Sequence, residues 1–225
     1  MDYFKISPGI EEYTKSQFLI NFRKTAQRFP KIDFSDSLSR NQIKSKSWLI
    51  NEMTNTFGRD FENIFVLCGW HGVLPAMIAD NPNINFKTLR SIDIDPSCEK
   101  IADSMNNELF KNKWRFKAFT ADILNLSYQQ ISLTTEGNKK KINEKADLII
   151  NTSCEHIADF NKWISLLPKG QKVILQSNNY DLHAQHTNCS DSLDDFIDQC
   201  NLTKVIYKST LPFDDYDRYM LIGQV

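Results

Sequence analysis

Along the chain, apolar runs of about four to six residues alternate with amphipathic segments of about ten or more, the pattern of repeated βαβ units on a parallel sheet. The strand-like runs are Ile64–Leu67, Leu89–Ile94, Arg115–Phe119, Leu148–Ile150 and Val173–Leu175. Helices are predicted between them at Val73–Ala79, Ser97–Leu109 and Ala158–Leu167. At the C-terminus the rhythm breaks. Lys204–Lys208 and Tyr219–Gly223 are joined by about ten polar residues, too few for a crossover helix, so these two runs are expected to pair antiparallel. The prediction is an α/β fold: a doubly wound, mostly parallel seven-stranded sheet with a C-terminal antiparallel hairpin. A dinucleotide-binding dehydrogenase would instead continue with parallel units.

Before the sheet, helical patterns cover Glu11–Ala26 and Ser39–Phe57, separated by the region of Pro30. Residues 1–60 therefore read as an N-terminal helical extension that caps the ligand cleft, and 61–225 as the sheet domain. The polar segment Gln129–Glu144, with Lys139, Lys140 and Lys141, reads as a solvated excursion between the third and fourth strands.

A length of 225 residues suits one α/β domain. With 27 basic and 28 acidic side chains and a net charge of −1, the chain lacks the field that concentrates a polyanion, which disfavours nucleic acid as a partner. Five cysteines, odd in number and without a CxxC pair, point to a reducing cytoplasm. No stretch approaches the ~18 consecutive apolar residues of a membrane span, and the N-terminus has no apolar export segment.

Candidate chemistry falls at the carboxyl ends of successive strands, where ligands settle in open α/β sheets. Cys68-Gly69-Trp70-His71-Gly72 ends the first strand; its glycines permit close backbone approach, and a tight turn alone explains them equally well. It does not match GxGxxG. Asp93 ends the second strand, where a carboxylate can take both hydroxyls of a ribose. Asp95 suits a cap for the helix near Ser97, and Asp93 taken alone suits that role too. Asp122 follows the third strand, placed to accept from an adenine amine or to serve as a turn carboxylate. On the pre-sheet helix, Ser45 and Lys46 are expected to point at a cofactor or an acidic substrate, although such residues also occur on solvated helix faces.

After the fourth strand comes Asn151-Thr152-Ser153-Cys154-Glu155-His156, and polar residues that follow a buried apolar strand usually meet a ligand. Glu155 or His156 can act as a general base; capping the next helix is the structural alternative. After the fifth strand, Gln176–Tyr180 and the loop Asp181–Ser190 are expected to form the far wall of an acceptor pocket. His183, His186 and Cys189 are of metal-ligand type, with Cys154 and His156 as possible neighbours, but match no standard zinc spacing. Tyr180, His183 and His186 are therefore assigned to a polar substrate and no metal is assigned.

On the glycine turn, Asp93 and Asp122 in that order, residues 60–225 resemble the class I S-adenosylmethionine-dependent methyltransferase superfamily, as a divergent member. Val66 stands where that superfamily usually has an acidic residue, and Trp70 and His71 crowd a turn that usually has three glycines. The resemblance implies S-adenosylmethionine as cofactor. Gly69, Trp70 and Gly72 would lie against its methionine part, Asp93 would bind its ribose and Asp122 its adenine. It also implies methyl transfer to an oxygen or nitrogen of a small polar acceptor faced by Asn151, Glu155 and His156. Asn151 does not open an Asn/Asp-Pro-Pro-Tyr signature, which argues against adenine, cytosine or glutamine nitrogen as acceptor. Alternatives on the same fold are aminocarboxypropyl transfer, nucleic-acid methylation and a noncatalytic binding protein.

Overall fold

The computed structural model describes residues 3–135 and 141–225. Nine strands occur among them: β1 (Asp60–Leu67), β2 (Asn85–Asp93), β3 (Phe116–Thr120), β4 (Ile131–Thr134), β5 (Lys141–Glu144), β6 (Leu148–Asn151), β7 (Lys172–Asn178), β8 (Lys204–Pro212) and β9 (Asp217–Gln224). Seven of these form one sheet in the order β3-β2-β1-β6-β7-β9-β8. β3, β2, β1, β6 and β7 run parallel, while β9 lies antiparallel between β7 and β8. The predicted architecture is the one observed. The chain moves outward from β1 through β2 to β3, then returns to β6 on the other side of β1. Strand order thus reverses between β1 and β6, and the loops at their carboxyl ends part to leave a cleft.

Both faces of the sheet are covered, which is why its central strands read as continuous apolar runs. Successive side chains serve opposite layers: Ile64 and Val66 join Leu49, Ile50 and Met53 of helix α3 (Arg40–Phe57), whereas Phe65 and Leu67 join Phe160, Trp163 and Phe196 on the other face. A third cluster packs Phe34 against Val73, Ala76, Ile101 and Met105, with Phe18 and Phe22 beside it, and so attaches the N-terminal helices to the sheet's own helices. Among the described residues no helix is long and apolar enough to cross a membrane.

Four expectations are corrected. The pattern Glu11–Ala26 is split between α1 (Tyr3–Thr14) and α2 (Gln17–Arg28). Lys15 turns left-handed at φ 54°, and Ser16 caps α2 by accepting from the Leu19 amide at 3.3 Å. The helix Ser97–Leu109 ends as α5 (Pro96–Met105) before a short α6 (Asn107–Lys111). Asn106 Nδ2, which donates to Ala102 O and Gly72 O, holds the break. The segment Gln129–Glu144 is no mere excursion: β4 and β5 pair antiparallel, Ile131 and Leu133 are buried, and Glu144 receives buried Arg90 in a two-pronged ion pair at 2.6 and 2.9 Å. Lys139 and Lys140 lie outside the described residues. A helix α8 (Leu193–Cys200) follows the loop after β7 where none was predicted, started by Ser192, which accepts from the Asp195 amide at 3.1 Å.

Candidate functional site

The turn after β1 packs tightly before it meets any ligand. A Cβ on Gly69 would lie 2.0 Å from Ser91 Oγ of β2. Gly72 has φ +73°, and a Cβ there would lie 2.9 Å from Ala102 Cβ and from Asn106 Nδ2. Cys68 and Trp70 are also left-handed, at φ 52° and 46°, a conformation that costs a residue with a Cβ. The tightness makes a prediction: Gly72→Ala, by chemical denaturation, should lose about 1–3 kcal/mol of stability. A value within about 0.5 kcal/mol of the parent would show that α4 (Val73–Asp80) and α5 can separate freely.

Asp93 organises this end. Its Oδ2 accepts the Trp70 amide at 2.8 Å and its Oδ1 accepts the Asp95 amide at 3.0 Å, which leaves each oxygen a further lone pair. Asp95 caps α5 through the Ser97 amide at 2.8 Å, and that bond holds its carboxyl below the usual range. Asp122 accepts from the Leu124 amide at 2.9 Å and from Asn125 Nδ2 at 2.8 Å, starting the 3₁₀ turn Ile123–Asn125. Trp70 stacks on His71 with ring centroids 4.5 Å apart. His71 is buried against Phe34, and that burial lowers its pKa. Cys68 is pushed up to about 12 by burial, with Asp93 and Glu155 adding to the effect, so its thiol stays neutral.

Across the cleft, the 3₁₀ turn Cys154–His156 presents Glu155 and His156. Glu155 is 2% exposed. Its Oε1 accepts from Asn178 Nδ2 at 2.7 Å and meets Arg218 Nη2 at 3.4 Å; its Oε2 is buried without a partner. The register of β7 with β9 sets Asn178 opposite Arg218, so both reach one carboxylate. The loop after β7 is tied to this turn by the Thr187 and Asn188 amides, each donating to Glu155 O at 2.9 Å. It brings His183 and His186 beside His156, with centroids 6.2 and 4.6 Å away. Tyr180 packs edge-on to His186 at 6.0 Å. From α3 comes Lys46, bonded to Gln42 Oε1. Burial first, and then Arg218, bring its ammonium down to about 7 against the opposing pull of Asp36 and Glu155. Ser45 turns away to donate to Gln176 Oε1 at 3.0 Å.

These walls enclose a cleft of about 940 Å³, within the range of small-molecule sites. Gly69, Trp70, Asp93, Asp122 and Lys46 line it, as do Glu155, His156, Tyr180, His183 and His186. Two candidates do not. Gly72 faces α5, and Asn151 is buried at the end of β6, where its Oδ1 accepts the Ser153 amide at 2.9 Å. Asn178, from the expected far wall Gln176–Tyr180, lines the cleft too, and Asp36, Tyr216 and Arg218 line it without having been foreseen. A charged residue entering the apolar run of β9 was the one signal for Arg218.

No family model matches the chain, and no curated protein matches it in sequence. Solved structures do resemble it. The N-methyltransferase NodS from Bradyrhizobium japonicum, solved in complex with S-adenosyl-L-homocysteine, is 13% identical with a TM-score of 0.53 over 92% of this chain and 98% of that one. An O-methyltransferase family protein from Burkholderia thailandensis is 14% identical with a TM-score of 0.53 over 93% and 62%. The small RNA methyltransferase HEN1 is 12% identical with a TM-score of 0.56 over 80% and 25%. The chain has the seven-stranded, Rossmann-like fold of these class I methyltransferases.

Proposed function

We propose that the chain binds S-adenosylmethionine and transfers its methyl group to an oxygen or nitrogen of a small polar acceptor. One observation carries this reading: a single cleft at the point where strand order reverses joins the carboxylates after β2 and β3 to a wall of imidazoles and a buried carboxylate after β6 and β7. The residues fit the cofactor. Asp93 keeps lone pairs for the ribose hydroxyls, Asp122 for the adenine amine, and Lys46 offers a cation to the carboxylate. Trp70 stacks on His71 and the cleft stays open beside it, which favours the enzymatic reading over a noncatalytic one.

Bound S-adenosylmethionine supplies a methyl group that is already strongly activated. What remains for the protein is to hold the acceptor atom in line and to take its proton. Glu155 and His156 face the acceptor for that purpose, while Tyr180 and His183 hydrogen-bond its polar groups. A net charge of −1 gives no overall attraction for a polyanion, which supports a small acceptor over nucleic acid. The five cysteines without a CxxC pair support a reducing compartment, and we place the chain in the cytoplasm.

Calorimetric titration with S-adenosylmethionine and S-adenosylhomocysteine tests the reading. Saturable binding is expected, weakened about tenfold or more in Asp93→Ala, because hydrogen bonds to a charged acceptor are worth ~1.5–3 kcal/mol. Asp122→Ala should lose affinity as well. Absence of binding at millimolar ligand by the folded parent would overturn the proposal.

A further inference from the structure

The geometry points to a divalent transition-metal site on the acceptor wall, with Glu155, His156 and His186 as ligands. One donor atom of each residue lies within 4.8 Å of the others, a spacing at which three groups can share one ion. The site itself rests on the donor set alone, while its effect on an acceptor rests on the methyl-transfer reading.

The hydrogen bonds fix which atoms are available. His156 Nδ1 lies 3.1 Å from Gln185 O, and His186 Nδ1 bonds to Tyr180 O. A carbonyl oxygen only accepts, so both Nδ1 atoms carry the proton and each neutral ring keeps its lone pair on Nε2. Ligating histidines are held in this way, with the other ring N–H anchored on a carbonyl or carboxylate. The third donor is Glu155. Its Oε1 is occupied by Asn178 and Arg218, while Oε2 is buried with no partner. Such an oxygen is costly unless something positive meets it. His183 behaves differently: its Nδ1 accepts the Gln185 amide at 3.2 Å, which puts the proton on Nε2 and makes it a donor toward the cleft. Cys189 is engaged elsewhere, its Sγ lying 3.3 Å from Tyr180 O.

Two imidazoles and one carboxylate suit Zn²⁺, Co²⁺, Fe²⁺ or Mn²⁺ and leave coordination positions open. All three ligands line the cleft, so those positions face the acceptor. With the metal bound, Glu155 and His156 serve as ligands rather than as the base, and an acceptor oxygen entering that shell is placed and made acidic enough to release its proton to water. The favoured acceptor class is therefore a hydroxyl or carboxylate compound, whose oxygen keeps a lone pair for attack after it binds the ion, whereas an amine nitrogen would spend its only one.

The test is spectroscopic. The full chain, stripped with a chelator, is titrated with Co²⁺ and followed by visible absorption. A saturable signal at a single equivalent is expected, with affinity at least about tenfold weaker in His156→Ala and in His186→Ala. Circular dichroism checks that each variant is folded. Cys189→Ser should bind as the parent does. No signal at millimolar cobalt from the folded parent, parental affinity in both histidine variants, or loss in Cys189→Ser would each overturn the site. A chain that binds cobalt but not S-adenosylhomocysteine keeps this site and loses the methyl-transfer reading; the converse loses the site alone.

Discussion

Glu155→Ala, measured on chelator-treated protein, is expected to be less stable than the parent by about 3–5 kcal/mol. The side chains of Glu155 and Arg218 are 2% and 6% exposed. Removing the carboxylate leaves the guanidinium buried, with Thr152 O at 2.9 Å as its remaining hydrogen-bond partner among the described residues, and Asn178 loses its acceptor. The cost lies in the orphaned charge and donor far more than in the 3.4 Å contact itself. Removing the charge as well should therefore recover much of the loss, so Glu155→Ala/Arg218→Met should be more stable than Glu155→Ala alone. Denaturant unfolding with linear extrapolation measures both. A single-variant loss below about 1 kcal/mol, the level of a solvated surface pair, would mean that water reaches the pair and that the buried wall described for the cleft is wrong.

What was legible in the sequence follows from how far each feature is set locally. The five parallel strands were readable because a doubly covered strand must be apolar on both faces, as Ile64–Leu67 and Leu148–Ile150 are. The antiparallel close was readable from a connection too short to cross over. Asp93, Glu155 and His156 were readable as polar residues at the ends of such strands. Asn151 satisfied the same rule, yet it lies within β6, is fully buried and accepts from the chain two residues on; the strand's pleat decided this. Gly72 looked like a ligand-approach glycine, whereas the approach it permits is that of α5. β4 and β5 have only four residues each, and their alternation was masked by the lysines and other polar residues around them. Arg218 and Asn178 could not be joined to Glu155 from the sequence, because their meeting depends on the β7–β9 register across 40 residues of chain. Which histidine nitrogens carry protons depends in the same way on loop carbonyls placed only by the fold.

Lys46 should make stability and ligand binding depend on pH in opposite senses. Its folded pKa of about 7 lies below the usual lysine value of 10.5. Between those values the unfolded chain holds a proton that the folded chain has released, so this residue's contribution to stability rises with pH, approaching ~1.4 kcal/mol per unit, and its penalty is greatest below pH 7. Lys46→Met removes the penalty. The variant is expected to be more stable than the parent by a few kcal/mol at pH 6.5, with the gap narrowing steadily toward pH 9. A gap of the same size at every pH would show that Lys46 is solvated. An anion bound beside Lys46 has the reverse effect, because its charge favours the ammonium. Above pH 7 the parent must then take up a proton when it binds S-adenosylhomocysteine, and its affinity must fall as pH rises. Calorimetry in two buffers of different ionisation enthalpy measures that uptake, and Lys46→Met should abolish it. If the parent binds with no proton uptake at pH 8, the carboxylate lies elsewhere in the cleft and Lys46 serves the acceptor instead.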